Sequence, residues 1–433
     1  MSWPKSFVVV NLAVGLLIAS CKPSAPRVVL SAPTHSTAEC SQPRPQGPFQ
    51  AIEAADLAAM PIEPDTENLL YRLLKGLLLN SKTTVDNAEI AALQGAPDKE
   101  YAFGMTTAMA WRDDDYGRIV DLAGQTDLGK VDASTAGLSA IFAQMPPQQF
   151  HFPEKAVEVP IHSSNTGNPI IDVVLNGKSF RFWLDTGAGV SVLSSKVAEE
   201  AGIQTFGAGE NATIHTSTKH TVKAGPAFMQ KLQIGGLEIE AHPCVIMDKK
   251  DLTFRLLGIK ILEIDGIIGW PLLKHLDLTL DYPESRLTIR QPQRRAVTDF
   301  SLSWYWQPFL ALRTTNNCQL NLMLDTGSST TFFDPSAYSK LDLSPTKKEL
   351  QKRAGAGGSE TIKVDVLENC RFLVHDSLLV TMDSEGIPAR EDDEQLIHFD
   401  GVIGQDILQK GVFRMDFTNR AFSFSASPSA KQP

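Results

Sequence analysis

The sequence predicts an α+β multidomain protein in which an N-terminal α-helical domain precedes a duplicated all-β unit of two lobes. Apolar residues recur at helical spacing up to about Met145 and with a period of two from Val157 onward. The second texture repeats a motif: "FWLDTGAGVSVLS" begins at Phe182 and "LMLDTGSSTTFFD" at Leu322, each with apolar residues before Asp-Thr-Gly and small ones after it. At 433 residues, 42% hydrophobic and 21% charged, the chain is globular in composition and too long for one ordinary core.

Residues 1–20 read as a signal peptide: Lys5 is its positive start, and Phe7 to Ile18 is an apolar run too short to span a bilayer. "LIASC" resembles the lipobox of bacterial lipoproteins, which implies cleavage before Cys21, a lipid on Cys21 and attachment to a membrane. A plain secretory signal cut near Ala19 is the alternative, and both place the mature chain outside the cytoplasm. Lys22 in place of Asp is similar to the outer-membrane default of lipoprotein sorting, so a cell-envelope location facing the periplasm, or the cell surface, is expected. Residues 21–48, rich in Pro, Ser and Thr, read as a disordered tether.

Residues 49–148 form the predicted helical domain. "TENLLYRLLKGLLLN" follows an expected cap at Asp65 or Thr66, and "YAFGMTTAMAW", "YGRIVDLAGQ" and "ASTAGLSAIFAQM" are Ala-rich and free of proline. They faintly resemble tetratricopeptide-type helix pairs but show no repeating period, so a small bundle is the reading. Its role stays open between recruiting a protein and covering the site as a pro-segment.

Lobe 1 is placed at 155–292, lobe 2 at 300–426, and a tail at 427–433. "PIIDVVLNGKSFRFWLD" and "LDLTLDYPESRLTIR" alternate around Asn-Gly and Pro-Glu turns, as short antiparallel strands do. A net charge of -10 with no basic run argues against nucleic acid as a partner. No cysteine or histidine spacing fits a zinc site, and no metal or other cofactor is expected. Of Cys40, Cys244, Cys318 and Cys370, the last two share a lobe and are the expected disulfide, with buried thiols as the alternative.

The Asp-Thr-Gly motifs are 140 residues apart, while "DGIIGWPLL" from Asp265 and "DGVIGQDIL" from Asp400 are 135 apart. Met247-Asp248 and Met382-Asp383, also 135 apart, place the five-residue difference between Asp-Thr-Gly and Met-Asp, where a mobile loop would sit. A tight turn alone does not demand Asp twice. Two carboxyls about 3 Å apart, by contrast, cannot both ionise easily and share a proton, so that one activates a water while the other polarises a carbonyl. Each lobe offers one carboxyl, which accounts for the repetition.

These motifs, over residues 155–426, resemble the aspartic peptidase fold of retropepsins and pepsins, and in particular bacterial retropepsin-like proteins, here with both lobes in one chain. The resemblance implies Asp185 and Asp325 as catalytic groups. Thr186 and Thr326 would exchange hydrogen bonds beneath them, and Gly187 and Gly327 would let the backbone pass close to the site. Asp265 and Asp400 would be structural. Ser328, where lobe 1 has Ala188, would donate its hydroxyl to the neighbouring carboxylate and lower the titration of the pair. The lids would be "GAGENATIHTSTKHTVKAG" from Gly207, with His215 and His220 solvated, and "RAGAGGSETIKVD" from Arg353, neither with a tyrosine. The expected function is a lipid-anchored aspartic endopeptidase acting on a peptide or protein substrate. The alternatives are a non-catalytic peptide-binding lipoprotein that keeps the fold, or a chain that dimerises to pair like lobes.

Overall fold

The computed structural model describes residues 28–33, 40, 42–43, 45–56, 59–60, 68–164, 166–206, 212–216, 221–256, 259–295, 301–375, 377–387 and 395–428. The signal segment with Cys21, residues 207–211 and 217–220 of the first expected lid, and the end of the tail lie outside them.

Two nine-stranded sheets, one per lobe, flank a five-stranded sheet to which both lobes contribute. In lobe 1, Pro169–Leu175 buries Ile171, Val173 and Leu175 on one face and turns back through Asn176 and Gly177 into Lys178–Leu184. Both turn residues have positive φ, 49° and 82°, the conformation that makes Asn-Gly a hairpin signal. Lobe 2 repeats the hairpin as Gln307–Thr314 and Gln319–Leu324. Asp-Thr-Gly follows the second strand of each hairpin.

The second motif pair belongs to the same unit. Gly266–Ile268 runs parallel to the strand ending at Leu184, and Gly401–Ile403 parallel to the one ending at Leu324. Asp185 N therefore donates to Ile268 O at 3.0 Å and Asp325 N to Ile403 O at 3.1 Å. Gly269 and Gly404 have no room for a side chain: an added Cβ would lie 2.7 Å from Ala188 O or 2.6 Å from Thr330 O. The short helices Trp270–Leu273 and Gln405–Leu408 can thus press against the loops that carry the acids.

In the five-stranded sheet, Asp277–Asp281 of lobe 1 pairs with Gly411–Asp416 of lobe 2, and Arg414 Nε donates to Asp277 Oδ1 at 2.7 Å. The lobes face each other within one chain, so pairing like lobes by dimerisation is not needed. The five-residue difference falls elsewhere than expected. Met247 pairs with Ser194, nine residues after Asp185, and Gly386 pairs with Phe333, eight after Asp325. Met247 therefore corresponds to Ile387 rather than Met382, and the extra length lies after Met247, where lobe 1 inserts the hairpin Thr253–Leu256 and Ile259–Glu263.

Ahead of the lobes, the helices among the described residues are Pro48–Glu53, Leu69–Leu78, Asn87–Ala91, Ala96–Arg112, Tyr116–Ala123 and Ala133–Phe142. Asn68, not Asp65 or Thr66, caps the second of these, accepting from Leu70 N at 2.9 Å. Ala96–Arg112 is buried on every side from Ala102 onward, which is why it is rich in small residues. The helical unit is anchored on the lobes by buried polar contacts. Lys274 Nζ donates to Asp114 Oδ1 at 2.7 Å and to Arg112 O at 2.5 Å, and Asn80 Nδ2 donates to Phe417 O at 3.0 Å.

The expected tether is partly structured. Val28–Ser31, which opens with two β-branched valines, adds an antiparallel strand to lobe 2 beside Leu378–Gly386, where it covers an otherwise open sheet edge. Farther on, Cys40 is disulfide-bonded to Cys318 with a Cα separation of 4.8 Å. The expected Cys318–Cys370 pair does not form: Cys370 lies buried in the strand Gly358–His375 as a thiol, and Cys244 is likewise a buried thiol. Local sequence gave no sign that the N-terminal segment returns to the second lobe. Non-reducing peptide mapping should recover a Cys40–Cys318 peptide, and Cys40→Ser should lower stability by about 2–4 kcal/mol in denaturant melts. A Cys318–Cys370 peptide would contradict the assignment.

Candidate active site

Each acid stands at the end of a strand whose burial fixes its position: Phe182, Trp183 and Leu184 are within 3% of complete burial, and Leu322 and Leu324 are fully buried. The loops that follow meet across the lobe boundary through their threonines. Thr186 Oγ1 donates to Leu324 O at 2.5 Å and accepts from Thr326 N at 3.0 Å. Reciprocally, Thr326 Oγ1 donates to Leu184 O at 2.7 Å and accepts from Thr186 N at 3.0 Å. Each hydroxyl is both donor and acceptor, a role that neither serine's freer rotor nor valine fills as well.

Above this interlock the carboxyls of Asp185 and Asp325 meet closely enough to interact directly. Gly187 makes room for them, since a Cβ there would lie 2.6 Å from Asp325 Cγ. Asp185 is 0% exposed and Asp325 8%, so both acids are buried. Burial raises the pKa of Asp185 well above the ordinary carboxyl range, and the facing Asp325 raises it further. Burial also pushes Asp325 up, to about 7, against hydrogen bonds to its Oδ1 from Gly327 N at 2.8 Å and Ser328 N at 3.0 Å. Asp185 Oδ1 receives Gly187 N at 2.9 Å, while its buried Oδ2 accepts no hydrogen bond from a donor among the described residues.

The Ser328 hydroxyl does not serve the carboxylate. It donates to Thr330 O at 2.8 Å, turned away by the loop, and the backbone amide of Ser328 serves Asp325 instead. An alanine would keep that amide, so the expected change in titration on removing the hydroxyl loses its basis. Asp400 accepts from Asn321 N at 2.8 Å and pairs with Lys340 at 2.7 Å; Asp265 receives Ser194 N on its carbonyl at 2.9 Å. Both stand apart from the acid pair.

Sequence reading missed the amide side chains that hold these loops. Asn168 Nδ2 donates to Thr326 O at 3.0 Å and Gly327 O at 2.8 Å, and Gln405 Nε2 donates to Thr326 O at 2.8 Å. On the other side, Gln307 Nε2 donates to Gly187 O at 2.9 Å. A signal was present: Asn168-Pro169 and Gln307-Pro308 recur 139 residues apart, close to the spacing of the motifs.

The second expected lid is a hairpin of Lys347–Gly355 and Gly358–His375. At its tip, Gly357 N donates to Asp251 O of lobe 1 at 2.8 Å. A cavity of about 900 Å³ lies between this tip and lobe 1, lined by Asp248, Lys249, Thr253, Gly355 and Ser359 among others. On the inward face of the lid, buried Arg353 stacks over Phe332 at 5.0 Å and faces Glu385 at 3.6 Å. Of the first lid, the described strands are Ala212–His215 and the start of Thr221–Ile234, against which the helix Ala133–Phe142 packs.

Residues 171–263 match the family model of gag-polyprotein aspartyl proteases, and residues 313–406 match a second aspartyl protease model. Each lobe thus carries an aspartyl-protease-type domain. Solved structures similar to this chain include a retropepsin-like aspartic protease from Rickettsia conorii, 19% identical, covering 34% of this chain and 96% of that one, with a TM-score of 0.23. Another is the aspartic proteinase from Irpex lacteus, 11% identical, covering 63% and 98%, with a TM-score of 0.37. No curated protein matches the chain.

Two outcomes follow for the acid pair. Thr326→Val removes one hydroxyl and strands Leu184 O and Thr186 N; a loss of about 2–4 kcal/mol in urea unfolding is expected. Because the folded-state pKa of Asp325 is raised, folding favours its protonated form. The protonated acid's stabilising contribution is complete below about pH 4 and is lost as pH rises towards about 7. Asp325→Asn should therefore stabilise the protein at pH 8 relative to wild type, by roughly 1–3 kcal/mol, and much less at pH 4. An equal difference at both pH values in thermal melts would contradict the raised pKa.

Proposed function

We propose that this protein is an aspartic endopeptidase that hydrolyses peptide bonds with Asp185 and Asp325 acting together on a water molecule. The reading rests chiefly on one observation: two buried carboxyls from equivalent loops, held face to face by the threonine interlock. Sharing one proton, the pair holds a base and an acid side by side at the same pH. The base takes a proton from water, the oxygen attacks the peptide carbonyl, and the acid gives its proton to the carbonyl oxygen; the C–N bond then breaks as the nitrogen takes the proton held by the first carboxyl and a hydroxyl of the intermediate returns one to the second, leaving an acid and an amine. An extended peptide would lie between the acids and the second lid, whose backbone can pair with it as a neighbouring strand.

The lipobox-like "LIASC" supports a lipid on Cys21 and a place in the cell envelope. This part of the proposal has its own test, incorporation of labelled fatty acid that is lost in Cys21→Ser.

For the enzymatic reading, the form lacking residues 1–21 is incubated with a diverse peptide mixture between about pH 3 and 8, beside Asp185→Asn and Asp325→Asn. Cleavage by the wild type, a loss of at least about a thousandfold in either variant, and inhibition by a statine-type compound are expected. Inhibitor and peptide binding without cleavage would favour a peptide-binding protein that keeps the fold.

A further inference from the structure

The acid pair has unequal surroundings, and the inequality traces to side chains outside both Asp-Thr-Gly motifs. Gly327 N and Ser328 N both donate to Asp325 Oδ1. These amides belong to the peptide groups whose carbonyls are Thr326 O and Gly327 O, and Asn168 Nδ2 donates to both oxygens. Gln405 Nε2 adds a second donor to Thr326 O. A hydrogen bond accepted by a peptide carbonyl polarises that peptide's N–H and strengthens the bond it donates, by about 10–30% per bond in a low-dielectric interior. The lobe 1 loop has less: the amides of Gly187 and Ala188 both serve Asp185, but among the described residues the located side-chain donor to their peptide carbonyls is a single one, Gln307 Nε2 on Gly187 O, against three such bonds in lobe 2.

The orientation of Asn168 is fixed. The residue is fully buried, and its Oδ1 accepts from the hydroxyls of Thr166 and Ser164, which leaves Nδ2 to face the carbonyls.

Building on the endopeptidase reading, we propose that Asn168, assisted by Gln405, is a positioning residue that acts through the 326–327 and 327–328 peptide groups to make Asp325 the ionised member of the pair and Asp185 the proton carrier. Asp325 then takes the proton from water, and Asp185 protonates the carbonyl oxygen.

Several ionisable groups surround the loop. Asp185 faces Asp325 from lobe 1. Asp406, on the helix Gln405–Leu408, accepts from Thr331 N at 2.9 Å and Thr331 Oγ1 at 2.6 Å, and burial raises it to about 6. Arg353 and Glu385 face each other beside Phe332 on the lid side.

The test is a carbon-13 NMR titration of the full chain labelled at aspartate carboxyls, with resonances assigned by Asp185→Asn, Asp325→Asn and Asp406→Asn. Asp325 should titrate below Asp185. Asn168→Leu, close in volume and without a donor, should raise the Asp325 midpoint by a few tenths of a pH unit, since it keeps both amide bonds to the carboxylate and removes the roughly 10–30% strengthening of each. Gln405→Met should move it less in the same direction and covers the case in which Asn168→Leu does not fold. Gln307→Leu, which weakens support on the Asp185 side, should move the Asp185 midpoint more than that of Asp325. A folded Asn168→Leu protein with an unchanged Asp325 midpoint overturns the proposal, as does a lower midpoint for Asp185 in the wild type. The readout needs no turnover, so a wild type that cleaves nothing counts against the endopeptidase reading while the midpoints still decide the role of Asn168. If the protein does cleave peptides, the acid limb of kcat/KM should move up together with the midpoint.

Discussion

Two threonine hydroxyls carry the register of the whole lobe boundary. Thr186 and Thr326 each bond the strand end and the backbone amide of the opposite loop, so neither loop can shift without breaking contacts in both lobes. Two like carboxyls repel when ionised, and holding them together in a buried site requires a support stiffer than the repulsion. The interlock provides it, with the five-stranded sheet below binding the lobes through Asp277 and Arg414. The absence of a Cβ at Gly187 matters for the same reason, because the carboxyls can approach only over bare backbone.

Around this two-fold centre the molecule is asymmetric. The equivalent positions Ser191 and Thr331 both receive a glycine amide, Gly269 N at 2.9 Å and Gly404 N at 3.0 Å. Ser191 then meets His242, which burial keeps neutral, whereas Thr331 meets the carboxyl of Asp406. The lids differ too. A helix packs against the first, and the second reaches lobe 1 through its tip. A chain carrying both lobes can let them diverge, which a dimer of identical chains cannot do.

Much of the architecture was legible in the sequence because it rests on periodicity and repetition. The switch from helical to alternating spacing near residue 150, the Asn176-Gly177 turn and the paired Asp-Thr-Gly and Asp-Gly motifs have local chemical signatures. What escaped was non-local. Cys40 is bonded to Cys318 and Val28–Ser31 pairs with lobe 2, and nothing near either cysteine announces that the N-terminal segment returns there. The extra length after Met247 was misplaced because Met-Asp occurs in both lobes by coincidence; strand register, rather than residue identity, decides equivalence. Ser328 shows the reverse: the residue was well chosen, but its amide and not its hydroxyl meets the acid, a distinction set by loop geometry. Asn168 and Gln307 were visible as Asn-Pro and Gln-Pro, yet a lone amide has no chemistry of its own to draw attention to it.

The link from Cys40 to Cys318 also decides how force passes through the molecule. Tension applied ahead of Val28 reaches the second lobe through the strand pairing and then the covalent bridge, bypassing the helices and the first lobe. The first lobe and the helical unit therefore hang from the second as unloaded parts, and a pull on the chain's leading end leaves the threonine interlock out of the direct load path. The same bridge closes residues 40 to 318 into a covalent ring, so one backbone cut within it, in the helices or between the lobes, opens the ring and releases nothing.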